Sequence, residues 1–316
     1  MAEKKILVVL GATGAQGGGV LRASKADPDH PFYVRAITRD KSSERAQAIA
    51  GIADEVVEAT TDDVSSLERA FAGADAVFAV TNFWDHYSAE RETQQARNIA
   101  EAAKQAGVKH VVWSTLEDAR NWVALDDNRL PTLNGKYKVP HFDGKGEADQ
   151  YFKELGVPTT YFLVAFYWEN MLYFGMNPKP GPDGTLQLSL PIGDHKFPGV
   201  AVQDIGKTAY QILKAGEPYI GQTVGIAGDA LTGSEMAAVL SDVIGKEIQY
   251  NPIRPETYRS FGFPGAEDLG NMFEFNTEIY SLYPDARNID KTRALNPGTL
   301  SFAAWAEQNK DKIPLE

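Results

Sequence analysis

A chain of 316 residues with 43% hydrophobic, 23% charged and 10% aromatic side chains has an ordinary globular composition and is long enough to bury a large core. Its formal net charge of -12 disfavours direct nucleic-acid binding, which draws affinity from Lys and Arg on phosphates. The absence of cysteine excludes disulfides, thiolate nucleophiles and thiolate metal sites.

The first predicted strand, residues 6–10, begins almost at the N-terminus, and its five apolar positions are too few for a signal-peptide core. No apolar run approaches the roughly 20 residues of a membrane helix. The chain therefore reads as cytoplasmic, with nuclear entry left open and no membrane partner. Further short apolar runs at 33–38, 55–58, 76–81 and 111–114 are predicted strands. Residues 65–72 and 89–106 carry helical spacing, the second stopped by Gly107. This alternation predicts an α/β fold, a Rossmann doubly wound parallel sheet.

The polar segment 118–139 reads as a long loop, either a lid or a surface insertion. A helix over 144–155 and a strand over 159–164 follow. The expected division is a nucleotide-binding domain over 1–165 and a smaller α+β domain, mainly over 166–316, with a strand near 224–227 rejoining the large domain. A further helix over 205–213 is expected to be capped by Asp204.

The first strand runs into Gly11-Ala12-Thr13-Gly14-Ala15-Gln16-Gly17, with helical residues expected from Gly18 onward. Glycines at this spacing permit a tight turn and bring main-chain N-H groups and a helix N-terminus against a pyrophosphate. Position within a βαβ unit makes this a dinucleotide signal rather than a flexible Gly18-Gly19 linker. The second strand ends in Arg39, with Lys41 close behind, where NAD-binding proteins place an acid on the ribose. A guanidinium suits the 2′-phosphate of NADP(H), and Asp40 is the discordant neighbour.

Together, Gly11 to Gly17, Thr81-Asn82-Phe83-Trp84, His141 to Glu147, Tyr167-Trp168-Glu169-Asn170 and Phe263 to Phe273 resemble the NmrA-like family of atypical short-chain dehydrogenases. The resemblance implies NADP(H) as cofactor, held by Thr13, Gly14, Ala15 and Gln16 at the pyrophosphate and Arg39 at the 2′-phosphate. It places Thr81, Asn82 and Phe83 beside the cofactor, Lys145 at the nicotinamide ribose, and Tyr167, Trp168, Glu169 and Asn170 at the nicotinamide end. Thr60, Thr61, Asp62 and Asp63 depart from the family pattern on the adenine side.

Dehydrogenases of this superfamily use a Tyr four residues before a Lys, the cation lowering the phenol's pKa. Here His141 precedes Lys145, so the Lys is present and the phenol is not. No catalytic residue is assigned. Ser114 or Thr115 could supply a hydroxyl, and Phe83, Trp84, Phe166, Tyr167 and Trp168 read either as an aromatic wall or as core. The five histidines lack metal-ligand spacing, so no metal is expected. The resemblance implies a redox-responsive regulator acting through a protein partner. The alternative is an NADPH-dependent reductase of a small aromatic, quinone or enone substrate, using Lys145. A homodimer is left open.

Overall fold

The computed structural model describes residues 4–279 and 284–315, so the outermost ends of both expected domains, 1–3 and 316, lie outside the described residues. Two compact units emerge. The first comprises Met1–Asp118, Gly144–Val164 and Val202–Val224, and the second Ala119–Asp143, Ala165–Ala201 and Gly225–Glu316.

In chain order the elements begin with β1 (Lys5–Val9), α1 (Ala15–Ala26), β2 (Phe32–Thr38), α2 (Glu44–Ile49), β3 (Glu55–Glu58) and α3 (Val64–Phe71). They continue with β4 (Ala76–Ala79), α4 (Ala89–Gln105), β5 (His110–Thr115), α5 (Pro140–Glu154) and β6 (Thr159–Val164). Next come β7 (Phe166–Tyr167), α6 (Asn170–Tyr173), β8 (Lys179–Pro180), β9 (Leu186–Leu190), β10 (Phe197–Val200), α7 (Val202–Ala215) and β11 (Thr223–Ile226). The chain closes with β12 (Asp229–Leu231), α8 (Gly233–Ile244), β13 (Ile248–Pro252), α9 (Pro255–Arg259), α10 (Ala266–Glu274), α11 (Ile289–Leu295) and α12 (Phe302–Asn309).

Seven strands form the central sheet in the order β11-β6-β5-β4-β1-β2-β3, and every pair among β1 to β6 is parallel. This is the doubly wound Rossmann order. The order in which strands are added reverses between β1 and β4, where such sheets open a crevice at their carboxyl ends. Strands covered on both faces read as mainly apolar runs, and Leu7, Val8 and Val9 of β1 are fully buried; every residue of β5 is buried as well, including the polar His110, Ser114 and Thr115.

The glycine pair at 18–19 is no linker. A Cβ on Gly19 would stand 3.0 Å from the Cα of Gly206, and one on Gly206 would stand 2.2 Å from the carbonyl carbon of Gly19. Helices α1 and α7 therefore pack backbone to backbone, a contact only glycine admits. α1 begins at Ala15 rather than Gly18, because Gly14 is already its N-cap. Asp204 does not stand at the N-cap position: α7 begins two residues earlier, at Val202, and Asp204 lies buried in its first turn.

The second unit carries two three-stranded sheets, β12-β10-β7 and β13-β9-β8. Its aromatic core includes Trp168, Phe302 and Trp305, all at most 2% exposed. Residues 119–139, expected as a lid or insertion, are packed into this unit. Lys138 is fully buried and its Nζ donates to the carbonyls of Leu125, Asp127 and Leu130 at 3.3, 2.8 and 2.7 Å. Burial pushes its pKa down. The Asp143 carboxylate accepts from the backbone N-H groups of Ala119, Lys138 and Val139, and the Asn271 amide donates to the carbonyls of Pro131 and Lys138. A segment whose carbonyls are satisfied from within its own unit has an ordered path.

Candidate functional site

The glycine loop links β1 to α1 within the first unit. Gly11 adopts φ +62°, a left-handed conformation that side chains resist, and its carbonyl accepts from Gly14 N at 2.8 Å. A Cβ on Gly17 would lie 2.4 Å from that same carbonyl oxygen, so the turn closes only with glycine there. No side chain caps α1, while Gly11, Gly14 and Ala15 are exposed and Thr13 and Gln16 half-buried. A twelve-residue helix with an exposed N-terminus and no side-chain cap offers N-H groups and positive dipole charge. These residues fit a pyrophosphate.

Arg39 sits just beyond β2 with its side chain 75% exposed, and its Nη1 pairs with Asp85 Oδ2 at 2.9 Å. Asp40, the discordant acid, is occupied locally. Its Oδ1 accepts from the Ser42 N-H at 2.8 Å and the Ser42 hydroxyl at 2.6 Å, which hold its pKa below the ordinary carboxylate value. Lys41 is exposed and its backbone N-H donates to Glu58 at 3.3 Å.

After β4 the chain passes through Thr81, Asn82 and Phe83. Asn82 is exposed and its amide donates to Asp85 Oδ1 at 2.7 Å, whereas Phe83 is buried. Thr81 belongs to an internal network centred on Lys145. The Lys145 ammonium donates to Thr81 Oγ1 at 2.8 Å, the Thr81 carbonyl at 3.3 Å and the Ser114 carbonyl at 3.4 Å. It also stands 3.1 Å from Glu92 Oε1 and 5.1 Å over the Trp113 ring. Glu92 on α4 is fully buried, accepts the Thr81 hydroxyl at 2.7 Å on Oε1, and leaves Oε2 without a hydrogen-bond partner among the described residues.

One helical turn beyond Lys145, Asp149 accepts from Trp113 Nε1 at 2.9 Å and Thr115 Oγ1 at 2.7 Å. Burial pushes its carboxyl up to about 7, against the opposing pull of those two hydrogen bonds. Of the two hydroxyls considered from sequence, Thr115 thus serves Asp149, and Ser114 contributes its carbonyl to Lys145.

The segment after β3 is tied to α4. Arg91 clasps Asp62 through Nε at 3.2 Å and Nη2 at 2.8 Å, and Gln95 adds a bond to the same carboxylate at 2.9 Å. The Arg91 hydrogen bond is the main reason the Asp62 pKa lies below its ordinary value. Asn98 donates to the Thr61 carbonyl at 2.8 Å, and Asp63 caps α3 through Ser65 N.

The remaining predicted residues lie in the second unit. Tyr167 and Asn170 are half-buried. Trp168 is core, packed on Phe302 and Trp305, and Glu169 accepts from Trp305 Nε1 at 3.1 Å. The aromatic set considered from sequence is therefore divided: Phe83 and Trp84 stack edge-on at 5.2 Å in the first unit, while Phe166 meets Phe197 and Phe273 in the second. His141 Nδ1 lies 2.5 Å from Asp268 Oδ1, and its backbone N-H donates to Oδ2 at 3.1 Å. Asp268 was not foreseen, since 127 residues separate the pair.

Among the described residues, no group of three or more His, Asp or Glu side chains could hold a metal ion, and no helix is long and apolar enough to cross a membrane.

An NmrA-like oxidoreductase of Cladobotryum sp., FrzB, is 30% identical over 317 residues, covering 93% of this chain and 91% of its own. Among solved structures, NmrA, a negative transcriptional regulator, in complex with NADP, superposes with a TM-score of 0.79 at 22% identity, over 96% of this chain and 95% of that one. Citrobacter sp. triphenylmethane reductase complexed with NADP(H) superposes at 0.73 with 21% identity, over 96% and 99%. The NmrA-like family matches residues 3–307, and the chain belongs to that family.

Proposed function

We propose that this protein binds NADP(H) and reports its redox state to a protein partner, with little or no turnover of its own. Glycines 11, 14 and 17 and the start of α1 take the pyrophosphate, Arg39 takes the 2′-phosphate, Thr81 to Phe83 flank the cofactor, and Lys145 meets the nicotinamide ribose.

The observation that carries the regulatory reading is the state of Lys145. An ammonium has three protons, and here they face Thr81 Oγ1, the Thr81 carbonyl and the Ser114 carbonyl, with Glu92 as counter-charge. A lysine so engaged has little left to lend to a reacting oxygen, and the phenol it would otherwise activate is absent. A regulator needs only different affinities for NADPH and NADP+, because a ligand shifts a conformation by no more than that difference.

The reductase reading is favoured by the likeness to FrzB, named an oxidoreductase, and to triphenylmethane reductase. NADPH oxidation in the presence of quinones, enones and triphenylmethane dyes separates the two readings. The regulator gives only background consumption; robust turnover that is lost in Lys145→Ala while that variant's circular dichroism stays native under the assay conditions establishes the enzyme.

Coenzyme choice has its own test. Arg39→Ala is expected to weaken NADP+ roughly thirtyfold, about 2 kcal/mol for lost charge-assisted bonds, and to leave NAD+ within twofold, measured by isothermal titration. An equal loss for both coenzymes would place the phosphate elsewhere.

A further inference from the structure

Arg39 already holds an anion, and that anion comes from the protein itself. Asp85 Oδ2 accepts from the guanidinium at 2.9 Å, while Oδ1 is fixed by the Asn82 amide at 2.7 Å. Both acidic oxygens are thereby spent on side chains that flank the proposed cofactor track. The pair is exposed, 75% on the arginine and 41% on the aspartate, so water screens it and little free energy binds it.

We propose that Asp85 is a built-in competitor for the 2′-phosphate, and so a specificity-determining residue of the coenzyme site; this rests on the reading of Arg39 as the phosphate contact. A phosphate oxyanion pairs bidentately with a guanidinium and carries more charge than one carboxylate, so it displaces Asp85. NAD(H), with a ribose hydroxyl in that place, leaves the Arg39–Asp85 pair intact. Part of the phosphate's attraction to Arg39 is therefore consumed in breaking the resident pair, and the preference for NADP(H) over NAD(H) is smaller than an unencumbered arginine would give.

The exchange has a structural consequence. Asp85 closes the 3-10 turn Phe83–Asp85, and loss of its pairing with Arg39 cuts one of the side-chain ties at the end of that turn, the Asn82 bond remaining. The released carboxylate stays within the field of Arg91, whose elevated pKa reflects Asp85 as well as its main partner Asp62. The turn carries Trp84, 38% exposed, and leads to Tyr87, 49% exposed and held at φ +54°, the two rings meeting edge-on at 5.8 Å. A non-glycine residue in the left-handed region costs backbone energy that its surroundings must supply, so this turn is poised to rearrange when one of its ties is cut. Phosphate binding thus alters an aromatic surface that NAD(H) leaves as it is.

The experiment titrates NADP+ and NAD+ into the full chain and its variants by calorimetry. Asp85→Asn keeps an acceptor for Asn82 and removes only the charge. It is expected to tighten NADP+ about fivefold and to leave NAD+ within twofold, and to have no effect on either coenzyme in an Arg39→Ala background. As a second readout, the emission of Trp84, taken as the difference between the parent and Trp84→Phe, is expected to change with NADP+ and not with NAD+. If Arg39→Ala weakens NADP+ and spares NAD+ but Asp85→Asn leaves NADP+ unchanged, or tightens both coenzymes alike, the competitor is refuted while the phosphate contact stands. If Arg39→Ala weakens both coenzymes equally, the reading beneath the proposal fails.

Discussion

Replacing Glu92 by Gln is expected to cost about 3–5 kcal/mol of stability, the largest effect of any single substitution considered for this chain. The glutamine preserves shape and can still accept from the Thr81 hydroxyl, but it removes the negative charge 3.1 Å from the Lys145 ammonium. Lys145 is only 9% exposed and cannot recover that charge from water. Removing one partner of a buried pair is costly because the other is left uncompensated, whereas removing both with apolar residues of similar volume is often close to neutral. Urea unfolding of Glu92→Gln, Lys145→Met and the Glu92→Leu/Lys145→Met double variant checks this. Both single variants should lose several kcal/mol and the double should recover most of the loss. Additive losses would mean that Glu92 and Lys145 are held independently, and the argument that Lys145 is internally committed would go with them.

The sheet was legible from sequence because parallel strands buried on both faces are written as apolar runs, and the glycine loop because its spacing is dictated by backbone chemistry. The charged interior was not. Glu92 falls on the stripe Glu92, Ala96, Ile99 and Ala103, every member of which is buried, so an acid on an apolar helical face was the signal that could have exposed it. Spacing says that such an acid needs a partner without saying that the partner is Lys145, 53 positions on. Asp149 was equally hidden, since its environment is made by Trp113 and Thr115 on another element. In the second unit β7 and β8 have two residues each and β12 three, too few for a period of two to register. The burial of Lys138, which ties down residues 119–139, depends on carbonyls whose direction no composition encodes.

Two buried titrating groups in the first unit make the pH dependence of stability a sum of opposed slopes. His110 is 4% exposed, and burial pushes its pKa down to about 4. Thr160 spends its hydroxyl proton on the Tyr219 carbonyl at 2.7 Å, so His110 Nε2 must donate to Thr160 Oγ1 at 2.8 Å. Nδ1 is then the bare nitrogen, and among the described residues it has no partner to receive a proton's hydrogen bond. The unfolded chain takes up that proton near pH 6.5 and the folded chain only near 4, so this group's contribution is present above 6.5 and about 3 kcal/mol is lost as pH falls to 4. Asp149 runs the other way. Its folded pKa of about 7 lies above the ordinary 3.8, so the folded state holds a proton that the unfolded chain releases, and the stability it confers at low pH is lost as pH rises through 7. Between pH 4 and 6.5 the two nearly cancel, while Asp27, held down at about 2 by Lys214, acts only below that range. Asp149→Asn presents the same oxygen to Trp113 and Thr115 without ionising. It should gain about 2 kcal/mol at pH 8, allowing for partial exposure, and lose about 3 kcal/mol between pH 6.5 and 4. His110→Gln should instead grow more stable, relative to its own value at pH 8, as pH falls from 7 to 4. Urea midpoints across pH 4 to 8 for the three proteins decide the matter, and an Asp149→Asn profile as flat as the parent's would show that Asp149 does not carry its proton into the folded state.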